Sequence, residues 1–177
     1  MLGDKKQHVV ASLATALHLP AAEVQQKLVG LMQAADSSGI RRIRTIIQRY
    51  GYPGKTLVGT PTNEAAFYVI QHSNSISRYL PLIKQAADKG ELPFRLYAMM
   101  LDRHLMYTGK SQLYGTQGCG YNGQPPFIWP IDDPAHVNER RQKAGFDLSV
   151  EQNAQRMDIP YYVLTIEQVR KMPGYQP

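Results

Sequence analysis

Between Pro93 and Gly109 the chain carries Phe94, Leu96, Tyr97, Met99, Met100, Leu101, Leu105, Met106 and Tyr107, apolar groups at almost every angle around a helix. A helix that is apolar on all sides is stable only where other elements cover it, so this segment predicts the central element of a packed body. Asp102-Arg103-His104 interrupts it. Burying an unpartnered charge costs on the order of several kcal/mol, so the rest of the chain must bring donors to Asp102 and acceptors to Arg103.

The nearest source is the next stretch, Gly109-Lys110-Ser111-Gln112-Leu113-Tyr114-Gly115-Thr116-Gln117. Here the period changes to two. Gln112, Tyr114 and Thr116 fall on one side, and Leu113, Gly115 and Gln117 on the other, which predicts a strand with hydrogen-bonding side chains on both faces. The glycine-rich Gly118 to Gly123 turn and Phe127-Ile128-Trp129 then predict a small hairpin with a bulge.

Upstream, Val9, Val10, Leu13 and Leu17 recur at helical spacing, and Pro20 opens a second helix through Val24, Leu28, Leu31 and Met32. Asp36 or Ser37 is read as the cap of a third helix carrying Ile40, Ile43, Ile47 and Tyr50, ended by Gly51, Pro53 and Gly54. Lys55 to Pro61 reads as a loop, and Thr62 as the cap of a helix reaching His72. Leu80 to Lys89 reads as a peripheral amphipathic helix stopped by Gly90. Asp132-Asp133-Pro134 leads into a short helix with Arg140 and Arg141. Ser149 caps another, and the tail from Tyr161 to Val169 packs back onto the body. The expected fold class is mainly α, a helical domain with a small β-hairpin following the central helix.

With 177 residues, 43% of them hydrophobic, one domain over 1–177 is expected, made of an N-terminal helical hairpin at 1–35, a core at 36–146 and a C-terminal extension at 147–177. The formal charge of +6 permits binding to polyanions, but charged residues are only 19% of the chain and form no long basic run. The arginines from Arg41 to Arg49 lack interleaved stacking aromatics and read as a solvated face, so a nucleic-acid partner is not expected. A protein partner stays open. No apolar run approaches the roughly 20 residues of a membrane span, and residues 9–19 read as an amphipathic helix rather than a signal peptide. A soluble, cytoplasmic protein is expected over an exported one. Cys119 is the single cysteine and offers neither a disulfide nor a metal cluster.

Arg49-Tyr50-Gly51-Tyr52-Pro53-Gly54-Lys55-Thr56-Leu57-Val58-Gly59, Gln71-His72, Asp102-Arg103 and the Gly109 to Gln117 stretch resemble, in order and spacing, one bacterial domain-of-unknown-function family recognised by its YGTQ motif. Pro130-Ile131-Asp132-Asp133-Pro134, Val137, Glu139-Arg140-Arg141 and Gly145-Phe146 extend the likeness over about residues 36–146. The resemblance implies a shared domain and candidate residues, and transfers no reaction.

Those residues define the expected site. His72 falls on a half-buried helical face, where it is either a core histidine bonded to a carbonyl or a group exchanging protons near neutral pH. Asp102 can orient His72, cap a loop or bind the Tyr114 hydroxyl. Arg103 serves as a structural ion pair or carbonyl clamp, or else anchors an anion. Gln112, Tyr114, Thr116 and Gln117 offer neutral donors and acceptors to a sugar, amide or phosphate, or form an internal network. An enzyme of this kind would use His72 as general acid/base and Asp102 as its orienter, with Arg103, Gln112, Tyr114, Thr116 and Gln117 binding a small polar or anionic substrate in hydrolase or transferase chemistry. The alternative is a non-catalytic binding or interaction module whose polar cluster is structural.

Several templates are excluded by spacing. Gly109-Lys110-Ser111 and Gly54-Lys55-Thr56 lack the upstream glycine of a phosphate-binding loop. Serine-nucleophile motifs and paired metal-binding histidines are absent. No cofactor and no metal are expected. Asp132-Asp133-Pro134 reads as a turn rather than a carboxylate pair.

Overall fold

The computed structural model describes residues 2–121 and 125–175, except the side chains of residues 2–6. The fold is mainly α, with a two-stranded antiparallel hairpin after the central helix. The helices among the described residues are α1 (Leu2–Leu17), α2 (Ala21–Tyr50), α3 (Lys55–Val58), α4 (Ala65–Gln71), α5 (Ile76–Asp88), α6 (Phe94–Tyr107), α7 (Val137–Lys143), α8 (Val150–Arg156) and α9 (Ile166–Arg170).

Where two helices were expected between Pro20 and Tyr50, there is one of 30 residues. Asp36 and Ser37 cap nothing: the chain stays helical through the exposed stretch from Val29 to Ser38, and its second half packs on α4. Gly39 permits that approach: a Cβ there would meet Val69 at 3.3 Å. Gly51, at φ +75°, ends the helix with its N–H on the Ile47 carbonyl. The segment read as a loop after Pro53 contains the short α3.

Ile43, Phe67, Ile70, Ile83, Leu92, Leu96 and Met100 form the main core between α2, α4, α5 and α6. Helix α5 is less peripheral than its pattern suggested, since Ile76, Tyr79, Ile83, Ala86 and Ala87 are all buried along α6. Helix α6 is central yet not enclosed. It buries Leu96, Tyr97, Ala98, Met100 and Asp102, while its last turn reaches solvent at Tyr107. Gly109, at φ +67°, terminates it, and the Lys110 amide closes back on the Leu105 carbonyl.

The hairpin β1 (Gly118–Cys119) and β2 (Phe127–Ile128) pairs Gly118 with Ile128 and Cys119 with Phe127. Asn122 and Gly123 of the expected turn lie outside the described residues. A second core forms here from Phe127, Trp129 and Val169, so the tail does fold back. The predicted strand from Gln112 to Gln117 does not form. Gln112 alone makes a bridge, to Ile131, and the residues after it form a loop against α6. Gln112 and Gln117 still bond the backbone from Trp129 to Asp132, while between them the Leu113, Tyr114 and Thr116 amides and the Leu113, Tyr114 and Gly115 carbonyls are met by side chains rather than by a neighbouring strand.

Candidate functional site

Asp102 is fully buried on α6 and faces that loop. One carboxylate oxygen accepts the Leu113 amide at 2.8 Å and the Tyr114 amide at 3.1 Å; the other accepts the Thr116 amide at 3.0 Å and the Thr116 hydroxyl at 2.9 Å. Burial pushes this carboxyl above its ordinary range, and the amides and hydroxyl pull it back. The carboxylate therefore serves as the cap that the loop's N–H groups would otherwise lack.

The loop's carbonyls are held from the opposite side. Arg140 donates to the Leu113 carbonyl at 3.0 Å and Arg141 to the Tyr114 carbonyl at 2.7 Å. Asn153 of α8 donates to the Gly115 carbonyl at 3.1 Å. Gly115 has φ +63°, and a Cβ there would come within 2.5 Å of Val150 and 2.9 Å of Ile131. Only glycine fits both the backbone and the space.

Gln112, fully buried, donates to the Gln117 and Trp129 carbonyls at 3.0 and 2.7 Å and accepts the Gln117 amide at 2.9 Å. Both its amide donation and its carbonyl are used inside the protein. Gln117, 6% exposed, accepts from Arg103 Nε at 3.1 Å and donates to the Thr116 hydroxyl at 2.9 Å. Arg103 also clamps the Gln71 carbonyl at 3.0 Å, at the end of α4. The structure thus joins Asp102, Arg103, Gln112, Thr116 and Gln117 in one network. Tyr114 enters it through its backbone, while its ring, half-buried, sits 6.1 Å from that of Phe146. His72 stands apart: it is the exposed C-cap residue of α4, one position beyond the carbonyl that Arg103 grips.

The Tyr52 to Gly59 stretch is a second locked loop. Glu91 accepts the Thr56 amide at 2.8 Å and its hydroxyl at 2.6 Å, occupying the start of α3 with a carboxylate. The Thr56 contacts hold the Glu91 carboxyl below its usual range. Asn63 donates to the Glu91 carbonyl and accepts, through its own carbonyl, the Tyr52 hydroxyl at 2.7 Å.

Open space lies beside the first network. A cleft of about 270 Å³ is lined by Thr116 and Asn153, by Arg95, Arg141 and Arg156, and by the apolar Met99, Phe146 and Leu148, with Asp147 alongside. Arg141 is 2% exposed. Its Nε donates to the Leu148 carbonyl at 2.8 Å, Nη1 holds Tyr114, and the guanidinium lies 4.6 Å from the Phe146 ring centre. Among the described residues it forms no ion pair, and Nη2 has no hydrogen-bond partner. Burial lowers its proton affinity, and the charges of Asp102 and Glu151 partly restore it.

Arg95 reaches Glu64 at 3.3 Å, and Arg156 donates to Asn153 Oδ1 at 3.0 Å. Neither Arg95, Asn153 nor Arg156 stood out in the sequence, since each is an isolated polar residue near a helix end or on a short helix. Only the Arg140-Arg141 pair lay within the motif-like segments. A smaller cleft of about 230 Å³ lies at the α5–α6 end, where Ser77 Oγ is 3.2 Å from His104 Nδ1.

Among the described residues, no cluster of histidine, cysteine or carboxylate side chains could hold a metal ion, and no helix is long and apolar enough to cross a membrane.

A loop clamped between a buried carboxylate and two arginines beside a basic cleft is the frame that the sequence motifs build. The chain belongs to a family of unknown function, DUF6624, whose family model matches residues 6–163. No curated protein and no solved structure shows a significant match.

Proposed function

We propose that the protein is a binding domain for a small anionic ligand, held in the cleft between α6, α7 and α8, and that the Asp102 network is its scaffold rather than its chemistry. The observation that carries this reading is Arg141, a cation 2% exposed that forms no ion pair among the described residues, has Asp102 and Glu151 only at longer range, and lines open space. A buried charge left unpaired is costly, and an anion in the cleft would supply the missing partner. Arg95 and Arg156 add positive charge on the same walls.

Acid/base chemistry at His72 is the less supported reading. Asp102 is committed to four loop donors, and among the described residues no hydrogen bond holds the exposed His72 ring. The test is NMR titration of the whole chain with acetate and inorganic phosphate at constant ionic strength. Saturable shifts confined to Thr116, Phe146, Asn153 and their neighbours are expected, weakened about tenfold by Arg156→Gln and unchanged by Arg44→Gln. Shifts that rise linearly with every salt, or centre on the Arg41 to Arg49 face, would remove the proposal.

A further inference from the structure

We infer that the protein pairs with a second copy of itself through the hairpin of α1 and the first half of α2, two hairpins closing into a four-helix bundle about a two-fold axis. A helix with an apolar stripe is stable where another element covers the stripe, and here most of the cover is missing. Val24, Leu28, Leu31, Met32 and Ala35 recur at helical spacing along α2. Helix α1 packs along this half of α2, yet from Gln7 to Ser38 Val24 alone is buried. Leu31 and Met32 are 68% and 66% exposed, and Val9 and Leu17 of α1 are exposed as well. It is the second half of α2 that packs on α4 and enters the main core.

Charge identifies the occupant. Between Gln7 and Ala35 the sequence has one carboxylate, Glu23, and one lysine or arginine, Lys27, with His8 and His18 as the other titratable groups, in a chain whose formal charge is +6. Glu23 and Lys27 pair with each other at 2.9 Å. A surface that stays in water is ordinarily rich in charge, whereas the centre of an interface is depleted of it. An anionic lipid surface would call for several lysines or arginines along the hairpin, and a strongly charged protein partner for the opposite sign; this stretch supplies neither. A second copy presents the same uncharged stripe and meets it without like-charge repulsion.

The dimensions are sufficient. Helix α1, 16 residues long, spans about 24 Å, and two helices side by side are about 20 Å wide, so each hairpin offers a flat footprint on the order of 500 Å². Two such faces bury about 1,000 Å², the threshold of a specific interface, which suits a reversible dimer rather than an obligate one.

The experiment is sedimentation velocity of the full chain from about 1 to 300 µM, a range that spans micromolar association. A concentration-dependent dimer is expected, and hydrogen exchange of the amides from Gln7 to Ala35 should slow as it forms. Leu31→Glu and Met32→Glu should each weaken association by about tenfold or more, whereas Val163→Glu, at an exposed apolar position of the C-terminal tail, should leave it unchanged. Both hairpin positions are largely exposed within one chain, so the circular dichroism of the dilute variants should match that of the parent. A chain that stays monomeric at the highest concentration would overturn the inference, and so would a dimer insensitive to both hairpin substitutions. Binding of such a monomer to phosphatidylcholine vesicles would assign the stripe to a lipid surface instead.

Discussion

The Asp102 carboxylate lies 2.8 Å from the backbone amide of Leu113, eleven residues further along the chain, and the same carboxylate accepts the amides of Tyr114 and Thr116. One buried side chain thereby does what a partner strand does elsewhere. It also explains why a charge is tolerated in the helix that carries the core: the donors that solvate it are backbone groups which would otherwise be orphaned.

Replacing Asp102 by Asn turns one acceptor into a donor that faces amides already donating. Asp102→Asn should cost about 3 kcal/mol or more, against less than about 0.5 kcal/mol for Asp36→Asn on an exposed helix face. Urea denaturation of the two variants measures this. Equal effects would mean that the carboxylate is not the loop's cap.

Gly115 bears two constraints at once, a left-handed φ of +63° and contact with Val150 and Ile131. Gly115→Ala should lose roughly 2 to 4 kcal/mol, whereas Gly30→Ala, in a helix with nothing within 4 Å of the added methyl, should gain slightly. Thermal unfolding of both proteins gives the sign directly.

Arg103 and Gln117 should behave as one unit. Each single alanine variant leaves the other's polar group without its partner, so both should destabilise by about 1 to 3 kcal/mol, and the double-mutant cycle should show coupling of at least about 0.5 kcal/mol. His72→Ala should change stability by less than about 0.5 kcal/mol. Additive effects at Arg103 and Gln117 would break the network reading.

His136 and Asp133 form an exposed pair, Nδ1 to carboxylate at 2.9 Å, beside Arg140. The hydrogen bond to Asp133 raises the His136 pKa, and the same bond, with Arg140 nearby, lowers that of Asp133. For the histidine, the stabilisation is present below its unfolded value and disappears as pH rises through its raised folded value. For the aspartate, it is present above its unfolded value and disappears as pH falls through its lowered folded value. The pair therefore contributes in the mildly acidic range between these limits. NMR titration of the His136 ring should show a lower pKa in Asp133→Asn than in the parent; an unchanged value would mean that the pair does not form in solution.

The helices were legible because burial writes periodicity into sequence. The stripe of Leu96 and Met100, the Gly109 stop and the Ser149 cap are each local, and each forms as expected, Ser149 within a capping box with Gln152. Asp36 and Ser37 cap nothing because capping residues act only where a helix begins, and here the helix runs on from Ala21 to Tyr50. The polar character of Gln112 to Gln117 was also plain, as was the demand of Asp102 and Arg103 for partners. The partners' identities were not. An alternating polar stretch satisfies its backbone equally well against a strand or against side chains, and the choice depends on whether a carboxylate from α6 and arginines from α7 arrive in register. The cleft is tertiary in the same sense: Arg95, Arg141 and Arg156 lie on three helices and look like surface residues in sequence, and only packing decides that Arg141 is buried beside open space with no carboxylate among the described residues in salt-bridge contact.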